Sequence, residues 1–361
     1  MGKLGVSIYP MKSTLEDNKR YLELARKYGF TRIFTSLLEI EGDADEVIRY
    51  FKTIIEYGNS LGMATILDIN PGLFKQLKVS YDDLKFFKDL GASGLRLDIG
   101  FSGLEEALMT KNDYDLKIEV NMSSGTRYIE NILSYQPDIE NLYASHNFYP
   151  QKYTGLSQAH FEETTALFNK HHIHTAAFVT SQTGKLGPWP VQSGLCTLEQ
   201  HRFLPIETQV THYRLMGTID DLIIGNAFAS EEELKAMSAA YFSPHPILPV
   251  ELFEDISEIE RKIVLDEIHL YRGDRSEYMV RSTQPRVKYK KESIHPHHTE
   301  TIQKGDLVIC NDKLGQYKGE LHIALKEMEN DGDRNIVGHL KEEAVFLVDY
   351  LKPWSTFRLS L

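Results

Sequence analysis

Gly94-Leu-Arg-Leu-Asp98-Ile-Gly100 and Leu116-Lys-Ile-Glu119-Val-Asn-Met-Ser123, joined by a short helical connection, decide how the chain is read. Both segments alternate with period two, as strands do. In the first, Leu95, Leu97 and Ile99 share one face, and Arg96 and Asp98 the other. In the second, Leu116, Ile118, Val120 and Met122 oppose Lys117, Glu119 and Asn121. Two strands joined through a helix run parallel, and parallel sheets are covered on both faces. The polar faces therefore line an enclosed interior, where charges must be paired. Arg96 and Lys117 are the cations expected to offset Asp98 and Glu119.

Outward from this stretch the same rhythm repeats. Strands are predicted at Leu4–Tyr9, Thr31–Leu38, Met63–Asn70, Leu142–Asn147, His174–Ser181 and Asp221–Gly225, with helical segments between them. About eight β-then-α units in roughly 240 residues predict a (β/α)8 TIM barrel. A doubly wound open sheet is the alternative, but Ile8-Tyr-Pro-Met-Lys12 after the first strand carries no dinucleotide fingerprint. The rhythm stops near Tyr241, at the proline-rich Phe242-Ser-Pro-His-Pro-Ile-Leu-Pro249. Beyond it lie segments read as strands: Lys262–Tyr271, Glu277–Ser282, Asp306–Cys310, Leu321–Leu325 and Ala344–Val348. The expected organisation is a barrel over 1–241 and a small β-rich domain over 242–361.

The 361 residues carry 40 Lys and Arg against 52 Asp and Glu, a net charge of −12. That balance disfavours nucleic acid or an anionic membrane as a partner. An anionic substrate would need a local basic pocket. Two cysteines far apart, no signal-peptide core and no membrane-length apolar run point to a cytoplasmic protein. A homo-oligomer is compatible with the sequence, and no cofactor is required.

Barrel active sites sit at the C-terminal strand ends. The polar residues expected there are Ser7, Glu39, Asp68, Asp98, Glu119, Asn121, His146, Asn147, Tyr149, Gln182 and Asn226. Singly, each is equally a structural polar group; together, the acids closing four successive strands exceed what core packing uses. Equal parity on adjacent strands about 4.8 Å apart puts the Asp98 and Glu119 carboxyl groups roughly 5 Å apart, the spacing of a retaining glycosidase. Asp68, Glu39 or Arg96 is an alternative partner that would shift a pKa. Glu39, Asp68, Asp98, Glu119 and His146 also form a donor set for a metal, without a tight local ligand motif. In the loop Ser181-Gln-Thr-Gly-Lys185-Leu-Gly-Pro-Trp189, Lys185 and the glycines suit an anion, and Trp189 suits a sugar face. Arg275 and Arg281, in a basic group around Tyr278, are expected to reach an anion at the barrel mouth. The histidines at 171–174 and 295–298 read as solvated, and Cys196 as no nucleophile.

Thr31-Arg-Ile-Phe-Thr-Ser36-Leu, Leu95-Arg-Leu-Asp98, Ala144-Ser-His146-Asn147-Phe-Tyr149-Pro and the β-rich tail together resemble the bacterial 6-phospho-N-acetylmuramidases. The resemblance spans essentially the whole chain. It implies a barrel followed by a cyclophilin-like domain. It also implies cytoplasmic hydrolysis of a phosphorylated amino-sugar disaccharide, MurNAc-6-phosphate–GlcNAc, during cell-wall recycling. It assigns no catalytic residue; Asp98, Glu119 and Asp68 rest on strand position. The competing readings are a metal-dependent sugar-phosphate isomerase or epimerase, and a non-catalytic phospho-sugar-binding protein.

Overall fold

The computed structural model describes residues 2–37, 43–77, 79–189 and 193–361. The chain divides into two compact units, 1–210 with 217–239 and 211–216 with 240–361.

In the first unit eight parallel strands close in sequence order into a barrel. They are β1 (Leu4–Ile8), β2 (Arg32–Ser36), β3 (Ala64–Ile69), β4 (Gly94–Leu97), β5 (Lys117–Asn121), β6 (Leu142–Ser145), β7 (His174–Val179) and β8 (Asp221–Ile224). Three of this unit's helices start where a side-chain oxygen satisfies free N–H groups. Thr14 caps Leu15–Lys27, Asp43 caps Ala44–Ser60 and Ser157 caps Gln158–Asn169. Between β3 and β4 the helical connection is split into two short helices, Pro71–Leu77 and Lys85–Asp89.

The alternation in the central stretch has the expected physical cause. Leu95, Leu97, Ile118 and Val120 are buried in the core shared with Phe87, Ala107 and Ile132. The opposite parity faces the barrel interior, which has two characters. Phe34, Ala176, Phe178 and Ile223 make an apolar cluster, with the Phe34 and Phe178 rings edge-on at 5.2 Å. β3, β4 and β5 instead send Asp68, Arg96 and Glu119 inward. Gly94 lets β4 and β5 approach: a Cβ there would lie 2.6 Å from the Lys117 carbonyl oxygen.

The second unit is a seven-stranded sheet in the order β10-β15-β9-β14-β12-β13-β11. Its strands are β9 (Ile247–Leu252), β10 (His269–Leu270), β11 (Met279–Ser282), β12 (Asp306–Cys310), β13 (Leu321–Ala324), β14 (Arg334–Leu340) and β15 (Thr356–Ser360). Its pairings are antiparallel except β15 with β9. Two segments expected to be strands are not. The first part of Lys262–Tyr271, through Leu265, belongs to the helix Glu258–Leu265, which a reciprocal Ser257–Glu260 capping box starts; only His269–Leu270 is strand. Ala344–Val348 lies in the 3-10 turns of Glu342–Tyr350. Conversely, Ile247–Leu252, which takes in the end of the proline-rich segment, is a strand, its Pro249 carbonyl accepting from Lys341 N at 3.0 Å. Arg334–Leu340 and Thr356–Ser360 are strands that the pattern did not single out.

Candidate active site

Register decides which charges meet. Asp68 stands opposite Arg96, Gly94 opposite Lys117 and Arg96 opposite Glu119. Asp98 therefore lies one pleat nearer the strand ends than Glu119, not level with it. Equal parity was read correctly from the sequence; the two-residue offset was not, because parity leaves register open.

Glu119 belongs to a buried ion network deeper in the barrel. Its carboxylate accepts from Arg32 Nη2, while Arg32 Nη1 is 2.8 Å from Asp221 Oδ2. Side chains of all three are at most 3% exposed. Burial alone would raise the Asp221 carboxyl, but His174 and Arg32 outweigh it and hold it near 2. Lys117, the cation expected for Glu119, binds Asp115 and Asn141 instead, each at 2.8 Å.

Nearer the strand ends, Arg96 is the hub. Its Nη1 lies 2.6 Å from Asp68 Oδ1 and 3.4 Å from Asp98 Oδ1. Its Nε donates to Ser145 Oγ at 2.8 Å, and its Nη2 to Asn147 Oδ1. With both carboxylates reaching one nitrogen, those oxygens are within about 6 Å of each other. The Asp68 side chain is 6% exposed and that of Asp98 35%. Burial raises the Asp68 carboxyl; Arg96 opposes it and Asp98 adds to it, leaving the group at about 6. Asp68, Arg96 and Asp98 form one side of a cavity of about 580 Å³, walled by Asn147, Phe148, Tyr149 and Trp189. The Phe148 and Trp189 rings are 6.1 Å apart. One carboxyl that holds a proton near neutrality, beside a second carboxylate in an aromatic cavity, suits acid/base work on a sugar.

The remaining expected residues separate clearly. Asn147 and Tyr149 line this cavity. Ser7 is fully buried and does not line it. Asn121 braces the strand end, accepting from Ser123 N at 2.9 Å and donating to the Asp98 carbonyl oxygen at 3.3 Å. His146 turns away, between Ser123 and Thr165, and burial drives it down to about 3. Gln182 and Asn226 hold the loop after β7: Gln182 donates to the Arg202 and Leu204 carbonyl oxygens, and Asn226 bonds Ser181 and Gly184. They share a second cavity, of about 370 Å³, with Lys185, whose ammonium has no carboxylate partner among the described residues. Glu39 lies outside the described residues. In the second unit Arg281 is engaged by Glu320 at 3.7 Å and Asp274 at 4.0 Å, Arg286 by Glu320 at 2.6 Å, and Arg272 by Asp274. Arg275 has no such carboxylate among the described residues and lines a cavity with Tyr271. His297 is 2.9 Å from the buried Glu260, and His298 the same distance from Asp255, so these histidines are paired rather than simply solvated. Burial pushes the Cys196 thiol up to about 12, which leaves it no thiolate near neutrality.

Arg32, Asp221 and Phe148 escaped sequence reasoning. Arg32 shares parity with Phe34 in Arg32-Ile-Phe-Thr-Ser36, which was the available signal for an inward cation. Among the described residues, no group of three or more His, Cys, Asp or Glu side chains is disposed to hold a metal ion, and no helix is long and apolar enough to cross a membrane.

Known proteins match this architecture throughout. The chain is similar to a crystal structure of an uncharacterized B. cereus protein, with 46% identity, 100% of this chain and 99% of that one covered, and a TM-score of 0.91. It also shares its fold with a conserved Enterococcus faecalis protein of unknown function, at 23% identity, 99% and 96% coverage and a TM-score of 0.76. No curated protein matches. The family models for the N-terminal and C-terminal parts of 6-phospho-N-acetylmuramidase match residues 4–239 and 246–360. Barrel, second sheet and both matched regions agree, and the chain belongs to the 6-phospho-N-acetylmuramidase family.

Proposed function

We propose that the barrel hydrolyses the glycosidic bond of a MurNAc-6-phosphate–GlcNAc disaccharide, with Asp68 and Asp98 as the reacting carboxyl groups, and that it serves cell-wall recycling. The observation that carries this reading is the convergence of both carboxylates on Arg96 inside an aromatic-walled cavity. Asp68, protonated up to about pH 6, gives its proton to the glycosidic oxygen as the bond to the anomeric carbon breaks. Asp98, the more exposed group, attacks the anomeric carbon and forms a glycosyl ester. Water, deprotonated by the Asp68 carboxylate, then releases the sugar and restores both groups. Arg96 orients the two carboxylates and limits their mutual repulsion. Phe148, Tyr149 and Trp189 offer apolar faces to the sugar rings. An oxygen separation within about 6 Å favours this double displacement over direct water attack, which needs roughly 6.5–9.5 Å between the carboxyl groups.

Glu119 takes no part in this chemistry, because Arg32 neutralises it below the cavity. Lys185, without a carboxylate partner among the described residues and on the same loop as Trp189, is our candidate for the substrate phosphate. The test is incubation with 6-phosphorylated and plain MurNAc–GlcNAc. Cleavage of the phosphorylated sugar with strong preference over the plain one is expected. Absence of cleavage would defeat the reading.

A further inference from the structure

The second unit holds a cavity of about 420 Å³ lined by Tyr271, Arg275, Leu325, Val348 and Leu351, among others. We propose that it binds a small carboxylic acid: one carboxylate, taken by Arg275 and Tyr271, on a short aliphatic stem that packs on the three apolar side chains. This goes beyond the glycosidase reading and does not depend on it.

Three observations combine. Tyr271 is 2% exposed, and its backbone is fixed on both sides: its N–H donates to the Ser355 carbonyl oxygen at 2.9 Å, and its carbonyl oxygen accepts from Trp354 N at 2.8 Å. Its hydroxyl is buried and makes no well-formed hydrogen bond among the described residues. Such an orphan costs about 1–3 kcal/mol, so buried hydroxyls are nearly always satisfied. Next, Arg275 is near enough for its charge and a weak hydrogen-bonding approach to act on the phenol, without completing a hydrogen bond of good geometry. Burial raises the phenol's pKa against that charge, so the hydroxyl remains a donor. Finally, the other charges lining the cavity are already matched. Lys326 pairs with Glu277, and Lys304 pairs with Asp349 at 2.7 Å. Among the described residues Arg275 is left as the cation without a carboxylate, beside the phenol donor and an apolar wall. A guanidinium fork with an adjacent hydroxyl fits the planar, two-oxygen carboxylate. One unpaired positive charge suits a single negative charge.

The test is calorimetric titration of the full chain with N-acetyl-alanine, N-acetyl-alaninamide and inorganic phosphate, in the wild type and two variants. The acid should bind saturably and the amide at least tenfold more weakly. Arg275→Gln should weaken the acid at least tenfold. Tyr271→Phe should weaken it at least threefold yet melt no lower than wild type, because the lost hydroxyl makes no well-formed hydrogen bond among the described residues. Absence of saturable acid binding, or binding indifferent to Arg275→Gln, would overturn the proposal. So would phosphate displacing the acid at equal concentration, or Tyr271→Phe melting below wild type.

Discussion

Replacing Asp68 by asparagine tests the electrostatics of the barrel cavity twice. Asp68 is held at about 6 against an ordinary value of 3.8. That difference is worth about 3 kcal/mol of folding free energy. The folded state holds this proton more tightly than the unfolded chain does. The contribution is therefore complete below about pH 3.8 and lost as pH rises to about 6. The Asp68→Asn variant has no such proton, so its stability relative to wild type should improve by about 3 kcal/mol between pH 3.5 and pH 7. Urea titrations in a Trp354→Phe background would follow the barrel through Trp189, the remaining tryptophan. The same substitution at Asp68 removes the acid, so kcat should fall at least about 10²-fold. In the wild type, kcat/KM should decline above about pH 6 as Asp68 loses its proton. Parallel stability curves for variant and wild type across this range would refute the assigned burial and repulsion. A variant with undiminished kcat would remove Asp68 from the chemistry.

Three further outcomes follow from the site. Glu119→Gln should lower stability by roughly 3 kcal/mol by breaking a buried ion network, yet leave kcat within about threefold of wild type when assayed well below its melting temperature; a 10²-fold loss of kcat would return Glu119 to the reacting pair. Lys185→Ala should raise KM for the phosphorylated disaccharide about tenfold, about 1.4 kcal/mol, with kcat unchanged; an unaltered KM would send the phosphate elsewhere. Hydrolysis should survive exhaustive EDTA treatment, whereas activity lost and restored by a divalent ion would favour the isomerase reading.

Where one side-chain period dominates, the sequence was readable. Leu95-Arg-Leu-Asp98 and Lys117-Ile-Glu-Val-Asn121 announced parallel strands with a charged interior face, because leucine and isoleucine are buried under helices while their neighbours point into the barrel. The (β/α)8 order followed from repeating that unit. Register did not follow. The offset that sets Arg96 against Glu119 depends on which residues of two strands pair, and alternation is silent on it. Nor did the ion partners, since Arg32 and Glu119 are brought together across the barrel from strands that are not neighbours. His146 and Asn226 sat at strand ends and looked available. Their side chains are consumed by Thr165 and by the loop after β7, contacts that only the fold creates. In the second unit, Ile263 and Val264 looked like a strand. The Ser257–Glu260 capping box overrode that local preference and made a helix.

The proposed double displacement by Asp68 and Asp98 is tested most directly by the anomeric configuration of the freshly released phosphorylated sugar, read by proton NMR before mutarotation. Carboxylate oxygens within about 6 Å predict a product that keeps the configuration of the bond cleaved. A product of inverted configuration would contradict the account, because it requires a water between two more distant carboxyl groups and hence a different pair.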